Sequence, residues 1–190
     1  MNTGHQAKTT QATPGSKALG PVSSQRRLNM HASVSINIAQ PKAVVWQAIC
    51  DIEHSNTMIS AILAIDILDQ PSEGLIGLKW RETRKMFGKE ATEVMWVTEA
   101  EENHHYTTRA ENHGAVYISR LSLVDLPTEP KADSTDESTS MTQLTMTFNT
   151  ESQSRLGKIL ASCMGVLMKG SMQKMLKQDL VDIKNYVEKT

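Results

Sequence analysis

Residues 154–187, SRLGKILASCMGVLMKGSMQKMLKQDLVDIKNYV, carry the pattern that decides the fold. Two apolar rows run along one side of this stretch at helical spacing. One row is Leu156, Ile159, Leu160, Cys163 and Leu167, and the other, at a strict spacing of four residues, is Met164, Met168, Met172, Leu176 and Leu180. This spacing predicts a single helix of roughly 35 residues, about 50 Å long. Its apolar side is too broad for a surface helix, so it must pack on or inside another layer.

The residues before this helix carry the two-residue period of β-strands. In residues 33–39, apolar and polar side chains alternate strictly, which predicts a half-buried strand. Pro41 then ends the strand and begins a short helix over residues 41–50, followed by a second short helix or turn over residues 51–60. Further strand patterns follow at hairpin spacing, over residues 62–68, 78–86, 90–98, 104–112, 115–123 and 141–148. This order predicts an α+β fold in which an antiparallel meander precedes one long helix.

Length and composition fit one globular domain and exclude several classes of protein. The 190 residues include 39% hydrophobic and 22% charged residues, and the formal net charge of −1 gives no general attraction to nucleic acid. No run of about 20 apolar residues is present, so we expect no stable insertion into a membrane. Cys50 and Cys163 form neither a disulfide framework nor a zinc cluster, which favours a cytoplasmic protein. The sequence also carries no metal or nucleotide motif, so we expect no cofactor.

Two segments of low complexity limit the predicted domain. Residues 1–31 contain four basic side chains, no acidic ones and few apolar ones. Residues 127–140, PTEPKADSTDESTS, are polar and acidic. Neither segment offers enough apolar surface to offset its ordering entropy, so both are predicted to be disordered. The predicted domain is residues 32–190, with a basic tail before it and a long acidic loop within it.

Several short stretches resemble one known superfamily in both order and spacing. They are SINIAQPKAVVW at residues 35–46, WRETR at 80–84, GKEATE at 88–93 and DLVDIK at 179–184. Together they resemble the START/birch-pollen-allergen-like superfamily, also called SRPBCC or polyketide cyclase/dehydrase-like, over about residues 33–188. The resemblance implies the helix-grip fold, in which a curved antiparallel sheet of about seven strands wraps around a long C-terminal helix. It also implies a hydrophobic cavity between the two, which relatives use for lipid binding, ligand transport, chaperoning or polyketide cyclisation.

Charged residues occur at inward positions of two neighbouring predicted strands. Alternation in the first strand places Trp80, Glu82 and Arg84 on the inward face, because the other face is entirely polar. In the second strand, Glu93 and Met95 belong to the more plausible inward set, although the opposite set is nearly as apolar. Two carboxylates against one guanidinium leave a charge unbalanced. We therefore expect one carboxyl to have a raised pKa or to find another partner.

Glu82, Arg84 and Glu93 allow three interpretations. They form a satisfied ion bridge that fixes the sheet, or Arg84 and its neighbours hold the polar end of a ligand. In the third, Glu82 or Glu93 is a catalytic acid or base.

The other candidate ligand-binding positions combine hydroxyl groups on the next two strands with methionines on the long helix. The full set comprises Trp80, Glu82, Arg84, Glu93, Met95, Tyr106, Tyr117, Ser119, Met164, Leu167, Met168 and Met172. Methionine at helical spacing is common in solid cores, and it also suits adaptable apolar pockets. The favoured hypothesis is a module that binds a small apolar or amphipathic molecule. The alternatives are a cyclase-, dehydratase- or hydrolase-type enzyme with an interior glutamate, and a co-chaperone or stress-response interaction module.

Overall fold

The computed structural model describes residue 1 and residues 30–112, 115–127, 140–152 and 155–189, with only the backbone for residues 30, 151–152 and 155–169. The predicted disorder of the basic tail and the acidic loop falls almost entirely outside these ranges, so it stays a prediction. The proposed limits of the domain likewise stay a prediction.

Seven strands and three helices make up the described part of the chain. The strands are β1 (Met30–Ile38), β2 (Ile62–Asp69), β3 (Lys79–Met86), β4 (Lys89–Glu101), β5 (His105–Asn112), β6 (Ala115–Leu126) and β7 (Met141–Ser152). The helices are α1 (Lys42–Cys50), α2 (Ser55–Met58) and α3 (Arg155–Val187). The α+β class, the two short helices after the first strand and the long C-terminal helix are confirmed.

The strands form one curved antiparallel sheet in the order β1-β7-β6-β5-β4-β3-β2. Strands β2 to β7 follow one another as a meander, and β1 adds to its end by pairing with β7, where Val34 lies opposite Met146. Register shifts interrupt the pairing of β2 with β3 and of β4 with β5. Such bulges increase local bending and twist, which helps the sheet to curve around the helix.

Strand β4 extends beyond its predicted end. It continues to Glu101 and does not end at Thr98. A bulge after Val97 shifts the register and leaves both Thr98 and Glu99 exposed. The alternation of apolar and polar residues breaks there, while pairing with β5 goes on to Glu101. A prediction from hydrophobic period alone therefore stops too early.

The core lies between the inner face of the sheet and the C-terminal half of α3. Its fully or almost fully buried side chains are Leu176, Leu180, Ile183 and Val187 from α3, Val45 and Ile49 from α1, and Ile38, Val97 and Leu144 from the sheet. Burial of each large apolar side chain contributes about 1.5–3 kcal/mol. The helix is therefore held mainly by its apolar face, as the sequence predicts.

Polar contacts fix the C-terminal end of α3 to the last residues of β1 and to Ala39, which follows that strand. Lys184 Nζ donates a hydrogen bond to the carbonyl oxygen of Asn37 at 2.6 Å. Glu188 Oε1 accepts one from the backbone N–H of Ala39 at 2.7 Å and pairs with Lys184 at 3.0 Å. These contacts set where the helix stops along the sheet.

The β3–β4 hairpin turns on two residues, Phe87 and Gly88, whose φ angles are 51° and 78°. Two successive positive φ angles are typical of the tight turns that match the twist of paired strands. Phe87 is half exposed at this tip. Among the residues that the structure describes, no helix is long and apolar enough to cross a membrane.

Leu180→Ala tests the contribution of the α3 face. Leu180 is completely buried, so we expect a loss of about 2–5 kcal/mol in the free energy of unfolding, measured by urea denaturation. Leu68→Ala is the matched control, because Leu68 is 43% exposed on β2. A similar loss in both variants would contradict the assignment of the core to this face.

Candidate functional site

Two adjoining cavities lie between the sheet and α3. The larger has a volume of about 110 Å³ and the smaller about 60 Å³. Their walls share five residues: Glu82, Arg84, Met95, Ser119 and Met146. The polar pair Glu82–Arg84 therefore stands at the junction of two mainly apolar spaces.

The two cavities reach different parts of the molecule. The larger one extends toward α1 and α2, where its wall includes Ile49, Ile52, Ser55, Met58 and Ile59, together with Trp80, Tyr106, Leu121, Asp179 and Ile183. The smaller one extends toward the β3–β4 hairpin, where its wall includes Met86, Ala91, Glu93, Phe148, Met172, Met175 and Leu176. Among the predicted methionine row, Met172 is thus placed at a cavity wall. The side chains of Met164, Leu167 and Met168 lie outside the described part of the chain, so their role stays a prediction.

Strand β3 presents the charged pair because its period places every second residue inward. Trp80 and Glu82 are buried and Arg84 is nearly so, whereas Arg81 points outward. Arg84 Nη1 lies 3.5 Å from Glu82 Oε1. The predicted inward direction of these side chains is therefore what the structure shows.

The short contact of Arg84 is made with Asp179 of α3. Arg84 Nη2 donates a hydrogen bond to Asp179 Oδ2 at 2.7 Å. Asp179 is only 2% exposed, although it lies one residue before the fully buried Leu180. A charge-assisted hydrogen bond of this length is among the stronger polar interactions in proteins. Asp179 therefore links the helix to the third strand inside the core.

Glu93 lies at a cavity wall with Glu82 and Arg84, as the sequence predicts, but it does not join their ion pairs. It lies directly across from Glu82 in the β3–β4 register and lines the smaller cavity. Its Oε1 accepts a weak 3.5 Å hydrogen bond from Asn112 Nδ2, and within the described ranges its carboxylate forms no ion pair with Arg84. The ion cluster is therefore Glu82–Arg84–Asp179, with Glu93 as a nearby negative charge.

Burial dominates the protonation of the two carboxyls in this cluster. It raises the pKa of Glu82, and the attraction of Arg84 offsets that rise only in part. It raises the pKa of Asp179 in the same way, again against the opposing effect of Arg84. Burial tends to lower the pKa of Arg84, but Asp179 and Glu82 outweigh it and the net direction is upward. The guanidinium therefore stays charged, and the carboxyls hold their protons more tightly than they would in water.

Four buried polar atoms of this region have no hydrogen-bond partner in the described part of the chain. They are Trp80 Nε1, Glu82 Oε1, Arg84 Nε and Asp179 Oδ1. The Trp80 indole lies near enough to Glu82 to favour its ionised form, but the two do not meet in good hydrogen-bond geometry. Native cores rarely leave several such atoms together, because each costs about 1–3 kcal/mol. The cluster thus has hydrogen-bonding capacity that the described protein groups do not use.

The predicted hydroxyl donors divide between the cavity and other contacts. Tyr106 lines the larger cavity, but its OH donates to the carbonyl oxygen of Ile49 at 3.1 Å. Ser119 faces both cavities. Tyr117 stacks on Phe148 with ring centroids 6.0 Å apart and is not among the residues that line either cavity. Tyr106 and Ser119 therefore lie at a cavity wall, and Tyr117 does not.

Comparison with known proteins supports the fold. No family model and no curated protein match the chain. Solved structures do, among them a Thermus thermophilus protein with a TM-score of 0.62 at 16% identity, covering 83% of this chain and 96% of that one. A START superfamily protein of Mycobacterium smegmatis gives a TM-score of 0.59 at 18% identity, covering 84% and 97%. The Zhui aromatase/cyclase of a Streptomyces species gives 0.64 at 14% identity, covering 84% and 94%.

The chain has the START-like helix-grip fold. This agrees with the SRPBCC resemblance of its sequence. The likeness covers nearly the whole length of each of these structures, so the sheet, the short helices and α3 are all included in it. At these low identities the comparisons concern the fold alone.

Asp179 is the residue of this helix-grip site that sequence reasoning missed as a member of the cluster. A signal for it does exist, because Leu176, Asp179 and Ile183 follow one another at a spacing of three and four residues. They therefore lie on one face of the helix, and an aspartate on an otherwise apolar face needs a buried partner. The inward Arg84 was the available cation.

Arg84→Met tests whether the cluster depends on its single cation. Removal of the guanidinium leaves Glu82 and Asp179 buried without it, so we expect a loss of about 3–5 kcal/mol in the free energy of unfolding at pH 7. Arg81→Met is the control, because Arg81 is half exposed and pairs with Asp66 only at 3.7 Å. The control should change stability by less than about 1 kcal/mol. Equal effects would show that Arg84 does not hold the cluster together.

The raised pKa of Glu82 predicts a pH effect of known sign. Above the ordinary carboxyl value of 4.5 the unfolded chain loses this proton while the folded state keeps it, so stability falls as pH rises. Glu82→Gln removes that dependence. The stability of this variant relative to wild type should therefore increase from about pH 4.5 toward neutrality, by at most about 1.4 kcal/mol per pH unit. Denaturation at several pH values measures it, with the exposed Glu90→Gln as control, and a parallel profile for Glu82→Gln would contradict the prediction.

Proposed function

We propose that this protein binds a small apolar or amphipathic molecule in the two cavities between the sheet and α3. The observation that carries the proposal is the buried cluster Glu82–Arg84–Asp179 at the wall of an apolar space, since three of its polar atoms have no hydrogen-bond partner among the described residues. A cluster that only fixed the sheet would be expected to satisfy its own polar atoms. The fold supports the proposal, because structures named for the START superfamily and for an aromatase/cyclase share it.

The size of the described cavities limits what they hold. A volume of about 110 Å³ is close to that of engineered cavities, about 150 Å³, that bind benzene. The larger cavity therefore suits a group of about one ring or a short branched chain. A longer molecule would pass the Glu82–Arg84 junction into the smaller cavity.

An enzyme of cyclase or dehydratase type is the second candidate. The specific observation in its favour is a buried carboxyl, Glu82, whose pKa is raised and which faces the larger cavity. A carboxyl group whose pKa is raised by burial holds its proton more tightly, which suits it to general acid catalysis. A cytoplasmic location is part of the same proposal and rests on the use of cysteine in the sequence. It is consistent with burial, which raises the pKa of the Cys50 thiol to about 12 and keeps it unreactive.

Native mass spectrometry of the purified full-length protein separates the classes of function. A co-purified small organic mass supports a binding module. Conversion of that molecule by wild type, but not by Glu82→Gln, would favour the enzyme. A bound foreign protein without any small molecule would instead favour an interaction module.

Ser119→Leu tests the binding site directly, with toluene as the probe. Ser119 faces both cavities, so a larger side chain should fill part of each and weaken toluene binding about five-fold or more. The affinity is measured by NMR titration of the ¹⁵N-labelled full-length chain. Ser122→Leu on the outer side of the same strand is the control and should bind toluene like wild type. If wild type binds neither toluene nor phenol at these cavities, the binding proposal fails.

A further inference from the structure

We propose that the polar end of the ligand is a neutral hydroxyl group, held at the junction of the two cavities by Trp80, Glu82, Arg84 and Asp179, and that anionic head groups are excluded. This inference rests on the proposed binding function and names the chemical class of its ligand. It follows from the kinds of atoms left unpaired in the cluster and from the balance of charge around them.

The unpaired atoms are of two opposite kinds. Trp80 Nε1 and Arg84 Nε are N–H donors, whereas Glu82 Oε1 and Asp179 Oδ1 are carboxyl oxygens that accept. A hydroxyl donates one hydrogen bond and accepts up to two, so it matches such a mixed set. A carboxylate only accepts, and an ammonium only donates. Each of these would leave half of the buried atoms without partners.

Charge makes a carboxylate still less suitable. The guanidinium of Arg84 is the cation of the cluster, and its Nη2 is already bound to Asp179 at 2.7 Å. Glu82 lies 3.5 Å from Nη1, and Glu93 adds a further carboxylate across the β3–β4 register. An anionic ligand would have to displace Asp179 or stand against this excess of negative groups in a medium of low dielectric.

A cationic head group is disfavoured by the donors of the cluster. An ammonium cannot accept a hydrogen bond, so the N–H groups Trp80 Nε1 and Arg84 Nε would stay without a partner. It would also lie beside the guanidinium of Arg84, which repels it in a medium of low dielectric. The site therefore selects a group that is polar and uncharged.

Four one-ring probes of similar size separate these possibilities. Phenol carries the hydroxyl, toluene replaces it by a methyl group of similar volume, and benzoate and benzylammonium carry the two charges. The ¹⁵N-labelled full-length protein is titrated with each probe at pH 7. The indole N–H signal of Trp80, assigned with Trp80→Phe, is a local reporter because this N–H is one of the unpaired donors.

We expect phenol to bind about five-fold more tightly than toluene, as one or two net hydrogen bonds allow. Phenol is the more strongly hydrated of the two, so this order cannot come from the apolar walls. The Trp80 indole proton should move downfield with phenol and little with toluene. Benzoate and benzylammonium should bind at least about ten-fold more weakly than toluene.

Variants at Glu82 show whether the hydroxyl is held at the cluster. Glu82→Met removes the polar group and should make phenol no better than toluene, while toluene still binds. Glu82→Gln keeps one donor and one acceptor in the same place and should retain the preference for phenol. Glu90→Gln on the outer side of β4 should behave as wild type.

The outcomes distinguish this inference from the function on which it rests. Equal binding of phenol and toluene, tighter binding of benzoate or benzylammonium, or an unchanged phenol preference in Glu82→Met would each overturn the hydroxyl assignment and leave the binding function standing. Absence of binding by both phenol and toluene would overturn the binding function itself. The comparison of the four probes uses wild type alone, so it holds even if Glu82→Met does not fold.

Discussion

The hydrogen bond between Arg84 of β3 and Asp179 of α3 is the constraint on which the interior of this protein depends. Apolar packing is largely non-directional and would allow α3 to slide or rotate on the sheet by a small amount. A 2.7 Å charge-assisted contact allows little of either. It fixes one point of the helix against one strand, and the two cavities lie around that point.

The same contact explains why the cluster is unbalanced. Arg84 is shared between a close partner and a more distant one, and the distant one, Glu82, faces the cavities with an unpaired oxygen. A structural bridge would be expected to use the guanidinium fully. Here the arrangement stabilises the helix with one carboxyl and leaves another in an apolar setting. This division is the physical basis of the proposed binding site.

Most of the fold could be predicted from the sequence, because periodicity in the strands and in α3 reports which side of each element is buried. The inward positions of Trp80, Glu82 and Arg84 follow from the two-residue period alone. The end of β4 could not be predicted in this way, since the bulge near Thr98 shifts the period without ending the pairing. Contacts between residues far apart in the sequence could not be predicted from periodicity either. The partnership of Arg84 with Asp179 spans 95 residues, and the use of the Tyr106 hydroxyl by the backbone of Ile49 depends on how α1 packs on the sheet.

The position of Glu82 and Arg84 on one continuous strand limits how such a site can change over evolutionary time. An insertion of one residue in β3 before Glu82 would turn both side chains to solvent and bring Arg81 and Thr83 inward. Insertions and deletions are therefore expected in the turns, such as the tight turn at Phe87 and Gly88, whereas residues that face the interior change by substitution. A lineage that acquired a new ligand would keep the length of β3 and alter the residues at its alternate positions. The two-residue period of β3 thus determines which of its positions can supply side chains to the cavity.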